Sequence, residues 1–221
     1  MEFLLHLDPN FCKREITNRF TKQEVVSAEF IEILTNLHLQ TDSYDLSLFD
    51  RFALNEVFTY LSASHSYYLK TWLPKINQTV FQLKQTSGKD FMAVQLMTLF
   101  LEKYQLDLER HIAYEEQVLF SFVREMLLGK YSAEKKDFVI NHFLFTHNDN
   151  VIVHLKELKE DLVKFETGLN ENLVFQVLFN QLEIFQNDLL IHGLIEDEVF
   201  IPKVLDYIEA HFEKIERIHH S

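Results

Sequence analysis

His111-Ile-Ala-Tyr-Glu115 and His192-Gly-Leu-Ile-Glu196 repeat one step, a histidine and a glutamate four positions apart. Another histidine precedes each copy at nearly the same distance. His65 lies 46 positions before His111, and His147 lies 45 before His192. On a helix, residues i and i+4 share a face, so each step offers an imidazole and a carboxylate to one point. Nitrogen and oxygen donors doubled in this way are what a helical bundle uses to hold two metal ions. The candidate ligands are His65, His111, His147, His192, Glu115 and Glu196. Glu115 and Glu196, entering from different helices, can each bridge both ions and offset part of their repulsion. Imidazole with carboxylate suits iron, manganese or zinc, whereas calcium and magnesium prefer oxygen. Two histidines per ion and shared carboxylates leave positions open for water or a small molecule, as a reactive site requires. Iron is the expected metal, because open nitrogen–oxygen sites support dioxygen and nitric oxide chemistry.

The two copies agree beyond these donors. Asp107-Leu108 and Asp188-Leu189 precede their histidines at the same spacing. A carboxylate one turn earlier can orient an imidazole through its second ring nitrogen. The simpler expectation for each is a solvated acid on a helix flank. Glu116 and Asp197 directly follow the bridging residues and are expected to face away as surface charges. Tyr68 and Tyr114 each lie three residues after a candidate histidine, a spacing more often found in a core than beside a ligand. His154 falls two turns beyond His147, too far along the axis to join the same shell. His6, His38, His142, His211, His219 and His220 are expected to be ordinary surface or boundary residues. Gly193 costs about 1 kcal/mol inside a helix relative to Ala. Close packing or room beside the metals would each explain it.

Long helices must carry these side chains. Gly88, Gly129 and Gly168 sit in short polar clusters between stretches of helical periodicity, where Gly commonly follows a helix C-terminus. Ser132 and Asn170 are candidate N-caps. Apolar residues such as Phe91, Val94, Met97, Leu101, Tyr104 and Leu108 recur at three- and four-residue spacing. The result is four helices over about 52–86, 90–128, 133–166 and 171–215. Short loops make neighbours antiparallel. The expected fold is therefore all-α, an up-down-up-down four-helix bundle over 51–218 with a short helical N-terminal extension over 1–50. In that extension a helix is expected around 22–38, followed by the irregular segment LQTDSYDLSLFD. His65 and His111 are both 23 residues from Gly88, and His111 and His147 are both 18 from Gly129. Residues equidistant from a turn lie at one height, which places the four histidines in a single slab.

Bulk composition narrows the classes of function. The 221 residues include 21 Phe among 47% hydrophobic residues, enough for a substantial core. A net charge of −13 disfavours nucleic acid and anionic lipid as partners. The one cysteine, Cys12, excludes an intramolecular disulfide and a cysteine-based metal site, and fits a reducing compartment. The opening MEFLLHLDPNF lacks a basic region and a spanning apolar stretch, so a soluble cytoplasmic protein is expected. No phosphate-binding glycine loop or dinucleotide fingerprint is present.

His111-Ile-Ala-Tyr-Glu115-Glu116-Gln-Val-Leu-Phe120 and His192-Gly-Leu-Ile-Glu196-Asp-Glu-Val-Phe-Ile-Pro202 look like the ligand helices of the hemerythrin-like family. Ser64-His65-Ser-Tyr-Tyr-Leu with Leu73-Pro74 resembles its first ligand helix, and His147-Asn-Asp-Asn150 stands where the family has a His-Asp-Glu-like stretch. Within that family the chain resembles the iron-centre repair di-iron proteins. The resemblance implies a non-haem di-iron centre with carboxylate and oxo bridges. Nitric oxide and oxygen are the implied ligands, damaged iron–sulfur proteins the implied partners, under nitrosative or oxidative stress. Two departures stand out. The family's fifth histidine is missing, since none lies between His65 and His111. The repair proteins' N-terminal domain with adjacent cysteines has no counterpart in residues 1–50, which either cap the bundle or mediate contacts in a homodimer. Two other functions compete with the leading one. One is a non-catalytic oxygen or nitric oxide binder or sensor, and the other a metal-depleted bundle serving as an interaction module.

Overall fold

In the computed structural model, residues 8–22, 24–40, 44–86, 91–130, 133–140, 155, 157 and 172–219 are described. Among them every regular element is helical. No described helix is long and apolar enough to cross a membrane.

The N-terminal residues fold by local capping. Helix α1 (Pro9–Thr17) starts on Pro in its first turn, and the Asp8 side chain accepts the Asn10 N–H. The sequence pattern does not suggest this helix. Helix α2 (Ala28–His38) starts where the Ser27 side chain accepts the Phe30 N–H, later than the expected position 22. Its buried stripe of Phe30, Leu34 and Leu37 follows helical spacing. The segment expected to be irregular contains a 3-10 turn, Leu46–Phe49, opened by Asp45, whose side chain accepts the Ser47 N–H.

Three long rods come next. The first comprises α3 (Leu54–Tyr67), a π-helical turn (Tyr68–Trp72) and α4 (Leu73–Thr86). The second comprises α5 (Phe91–Glu115), a π turn (Glu116–Phe120) and α6 (Ser121–Leu127). It ends on Gly129 at φ +68, with Lys130 N–H bonded back to the Glu125 carbonyl. That is the C-terminal role expected of this glycine. Helix α7 (Ala133–Phe138) begins the expected third helix, most of which lies outside the described residues together with Gly88, Ser132, Gly168 and Asn170. The last rod comprises α8 (Leu173–Ile195), a π turn (Glu196–Phe200) and α9 (Ile201–His219). Asn172, not Asn170, caps it by accepting from Val174 and Phe175 N–H.

Of the π turns in these three rods, the first and last end just before a proline. Pro74 and Pro202 lack an N–H and would crowd the carbonyl four residues back, so the preceding turn widens. Ser121 holds the place of Pro202 in the second rod, where the π turn forms without that cause.

Side-chain contacts fix the directions of the rods. Asn77, His65 and Phe58 of the first rod meet Gln105, Glu116 and Arg124 of the second. Thr86, His65 and Asp50 meet Asn172, His192 and Lys203 of the last rod or its flank. Descending the first rod means ascending each of the others, so both run antiparallel to it.

Two apolar clusters fill the space between rods. One joins Leu61, Phe120, Val123, Ile195 and Phe200 to Ile16, Phe30, Leu34 and Phe49 of the N-terminal residues. The other contains Tyr68, Trp72, Leu83, Leu108, Ile112, Leu182 and Phe185. His65 and Glu115 fall in the polar layer between them along the chain, and His192 meets His65 there. Phe30 is fully buried, with its ring against Phe49, Phe52 and Tyr60 at 4.9–5.6 Å between centroids. Phe30→Ala should therefore cost about 3–5 kcal/mol. Urea unfolding followed by circular dichroism should register this as a lower midpoint, and a loss below ~1 kcal/mol would show that the N-terminal residues are not integral to the core.

Candidate metal centre

The layer between the two apolar clusters is built from paired imidazoles and carboxylates. His65 Nε2 lies 3.1 Å from His192 Nε2 and 3.1 Å from Glu115 Oε2. His111 Nε2 lies 2.9 Å from Glu115 Oε1, and His192 Nε2 lies 3.6 Å from Glu196 Oε2. Five of the six candidate donors are thus brought together, all histidines through the same ring nitrogen. His147 lies outside the described residues. Glu115, Glu196, His65 and His192 are buried, while His111 retains 21% side-chain exposure.

The register differs from the expected slab. His65 stands level with Glu115 and Glu116, not with His111 one turn earlier. The i, i+4 spacing nevertheless delivers both His111 and Glu115 to the same place.

Glu116 is not the outward-facing surface charge expected of it. Its Oε1 accepts from His65 Nδ1 at 3.0 Å, while Arg124 reaches its other oxygen at 3.4 Å. An imidazole presents its nitrogens on opposite sides, so one ring spans two consecutive carboxylates, Glu115 and Glu116. This leaves Nε2 aimed at the cluster, which is how a ligand histidine is oriented by a neighbour. Phe120 stacks on the same ring at 4.8 Å and 14°. Asp197 is exposed, as expected.

The two equivalent aspartates part ways. Asp107 is partly exposed and pairs loosely with Arg110 at 3.7 Å, in keeping with a flank position. Asp188 is buried, contrary to the expected solvated acid. Both its oxygens accept from Arg19 Nη2 at 2.8 Å, and Oδ1 also meets His38 Nε2 at 3.0 Å. It does not orient His192, whose Nδ1 has no hydrogen-bond partner among the described residues. His38 is likewise no surface residue. It is buried, with Nδ1 against the Leu34 carbonyl at 2.8 Å. Sequence reasoning missed Arg19 and His38 because their partner lies 150 or more positions away. The only signal was the duplicated Asp itself.

Tyr68 is core, as its spacing implied. Its ring edge meets His192 at 5.5 Å, and its hydroxyl donates to the Asp188 carbonyl at 3.4 Å. Tyr114 is exposed and Gly193 is buried. His6, His142, His154 and His220 lie outside the described residues, as do the side chains of His211 and His219.

The electrostatics follow from burial and pairing. Burial raises the Glu115 carboxyl, but His111 and His65 outweigh it and hold the group well below the usual carboxylate range. Burial lowers the His65 imidazole, yet Glu115 and then Glu116 push it above its ordinary value. Burial, then the charge on His65, lowers His192 to about 3, so the imidazole is neutral and carries a ring-nitrogen lone pair of the kind a cation binds. Without a metal, protons hold these groups together.

Among the described residues no group of three or more His, Cys, Asp or Glu is placed so that it could hold a metal ion. The chemistry of the donors nonetheless fits one. At a metal–nitrogen distance of about 2.0–2.1 Å, adjacent ligands on one ion lie roughly 3 Å apart, close to the spacing of the His65 and His192 nitrogens. His65, His111, His192, Glu115 and Glu196 are the residues that could hold a cation, each through Nε2 or a carboxylate oxygen. No family model, curated protein or solved structure matches the chain.

Asp188 supplies a pH test. Burial raises its carboxyl, but Arg19 and then His38 bring it down to about 2. Its unfolded value is about 3.9, so its contribution is present above pH ~4 and lost as the pH falls through about 2. Asp188→Asn should flatten the stability profile between pH ~4 and ~2 and lower stability at neutral pH by about 3–5 kcal/mol, since Arg19 is left buried and unpaired. Chemical denaturation at stepped pH reads both effects. An unchanged acid limb would place the titration elsewhere.

Proposed function

We propose that this chain is a dinuclear non-haem metalloprotein of the hemerythrin-like type, a four-helix bundle whose centre holds two iron ions. We further propose that it binds or acts on nitric oxide or oxygen, and that repair of damaged iron–sulfur centres under nitrosative or oxidative stress is its role. The supporting observation is the meeting of three Nε2 atoms with Glu115 and Glu196 in one buried layer. Duplication of the His-x-x-x-Glu step and the π turn following each copy point the same way, since π turns are frequent at functional sites. Iron at this position would supply redox chemistry toward small diatomic molecules.

The chain's own residues would do the remaining work. Glu115 and Glu196 would offset cationic charge in a low-dielectric interior. Glu116 would hold the His65 ring at its angle, and Phe120 would limit its rotation. Tyr60, Tyr68, Phe58 and Phe200 pack about the layer and would restrict water. His111, the most exposed of the described donors, lies where a small ligand would arrive.

A metal-free bundle acting as an interaction module is the second reading, favoured by a cluster that already closes on protons between His65, Glu115 and Glu116. Elemental analysis and Mössbauer spectroscopy on iron-57-grown protein should find about two irons per chain. Glu115→Ala and Glu196→Ala should each lose most of that iron while remaining helical by circular dichroism. Full iron in either variant contradicts bridging, and a purified wild type without iron, manganese or zinc establishes the second reading.

A further inference from the structure

Arg19 is the one guanidinium in the described core, and the proposed chemistry gives it no task. Its side chain is 2% exposed. Nη2 donates to both oxygens of Asp188 at 2.8 Å, and Nη1 donates to Ser64 Oγ at 3.2 Å. Ser64 immediately precedes His65 on the first rod, and Asp188 lies one turn before His192 on the last. The rings of Tyr67 and Tyr60 flank the guanidinium at 5.4 and 5.9 Å. From α2, His38 grips the same Asp188 oxygen while tied to its own helix.

A buried ion pair is a poor source of stability, since apolar replacements of similar volume often do as well or better. Its use is geometric. A guanidinium is a rigid planar fork whose hydrogen bonds fix direction as well as distance. Here the fork joins two antiparallel rods beside the point where His65 and His192 approach to 3.1 Å. A slip of one residue between rods moves side chains by about 1.5 Å, enough to separate those nitrogens.

We propose that Arg19 is a positioning residue for the metal centre. Through Ser64 and Asp188 it sets the placement of His65 relative to His192, and so the affinity of the site for its cations. The N-terminal residues thereby become part of the site without supplying a ligand. The inference rests on the dinuclear reading above.

The test uses the full chain stripped of metal and titrated with cobalt(II). Affinity is taken from chelator competition, and ligand-field geometry from visible absorption. Arg19→Met should weaken cobalt binding about 10- to 100-fold and alter the spectrum while helical circular dichroism persists. Arg19→Lys should recover part of the affinity. The double variant Arg19→Met/Asp188→Asn, which leaves no buried charge unpaired, should regain thermal stability but not affinity. It also supplies the reading if Arg19→Met alone does not fold. Wild-type affinity and spectrum in either Met variant overturn the proposal, as does affinity that merely tracks thermal stability across the series. A wild type that takes up no cobalt overturns the dinuclear reading, and this inference with it. Uptake by the wild type with indifferent variants overturns this inference alone.

Discussion

An ionised carboxylate taken out of water costs several kcal/mol unless it is matched, and among the described residues three carboxyl side chains are buried, Glu115, Asp188 and Glu196. The arrangement of the rods follows from how each is compensated. Glu115 lies between the Nε2 atoms of His65 and His111. Glu196 is approached by His192. Asp188 is held by Arg19 and His38. None of the partners of Asp188 comes from its own rod, and neither does His65, the partner of Glu115 across the rods. Matching these charges therefore requires the rods and the N-terminal residues to dock in one register.

The two kinds of partner have different consequences. A guanidinium stays charged at every relevant pH and offers only donors, so the Asp188 pair persists until its carboxylate is protonated near pH 2 and serves geometry. An imidazole can release its proton and present a lone pair. On the dinuclear reading, Glu115 and Glu196 are the histidine-matched carboxylates at which a cation would take the place of protons. That reading would separate the layer into a fixed joint and an exchangeable cluster within a few residues of each other. Apolar clusters on either side keep the whole layer at low dielectric, which strengthens both.

Much of this was legible in the chain, and the misses share a cause. Helical periodicity and Gly129 located the rods to within a few residues. The i, i+4 spacing correctly joined His111 to Glu115 and His192 to Glu196, because a helix fixes that relation locally. Glu116 was misjudged because its direction depends on where His65 sits on another rod. Asp188 and Asp107 occupy equivalent places in a repeated motif, yet only Asp188 faces the N-terminal residues. Pro74 and Pro202 marked two π turns in plain sight, while the third carries no such mark.

The sequence by itself determined the long rods, the donor types and which donors share a helical face, since these depend on backbone geometry within a turn or two. Only the tertiary structure decided that His65 lies level with Glu115, that Glu116 turns inward, and that Arg19 reaches across 169 positions to Asp188. Those relations are set by how rods slide and rotate against one another. Burial of charge selects that alignment, and no pattern within a single helix encodes it.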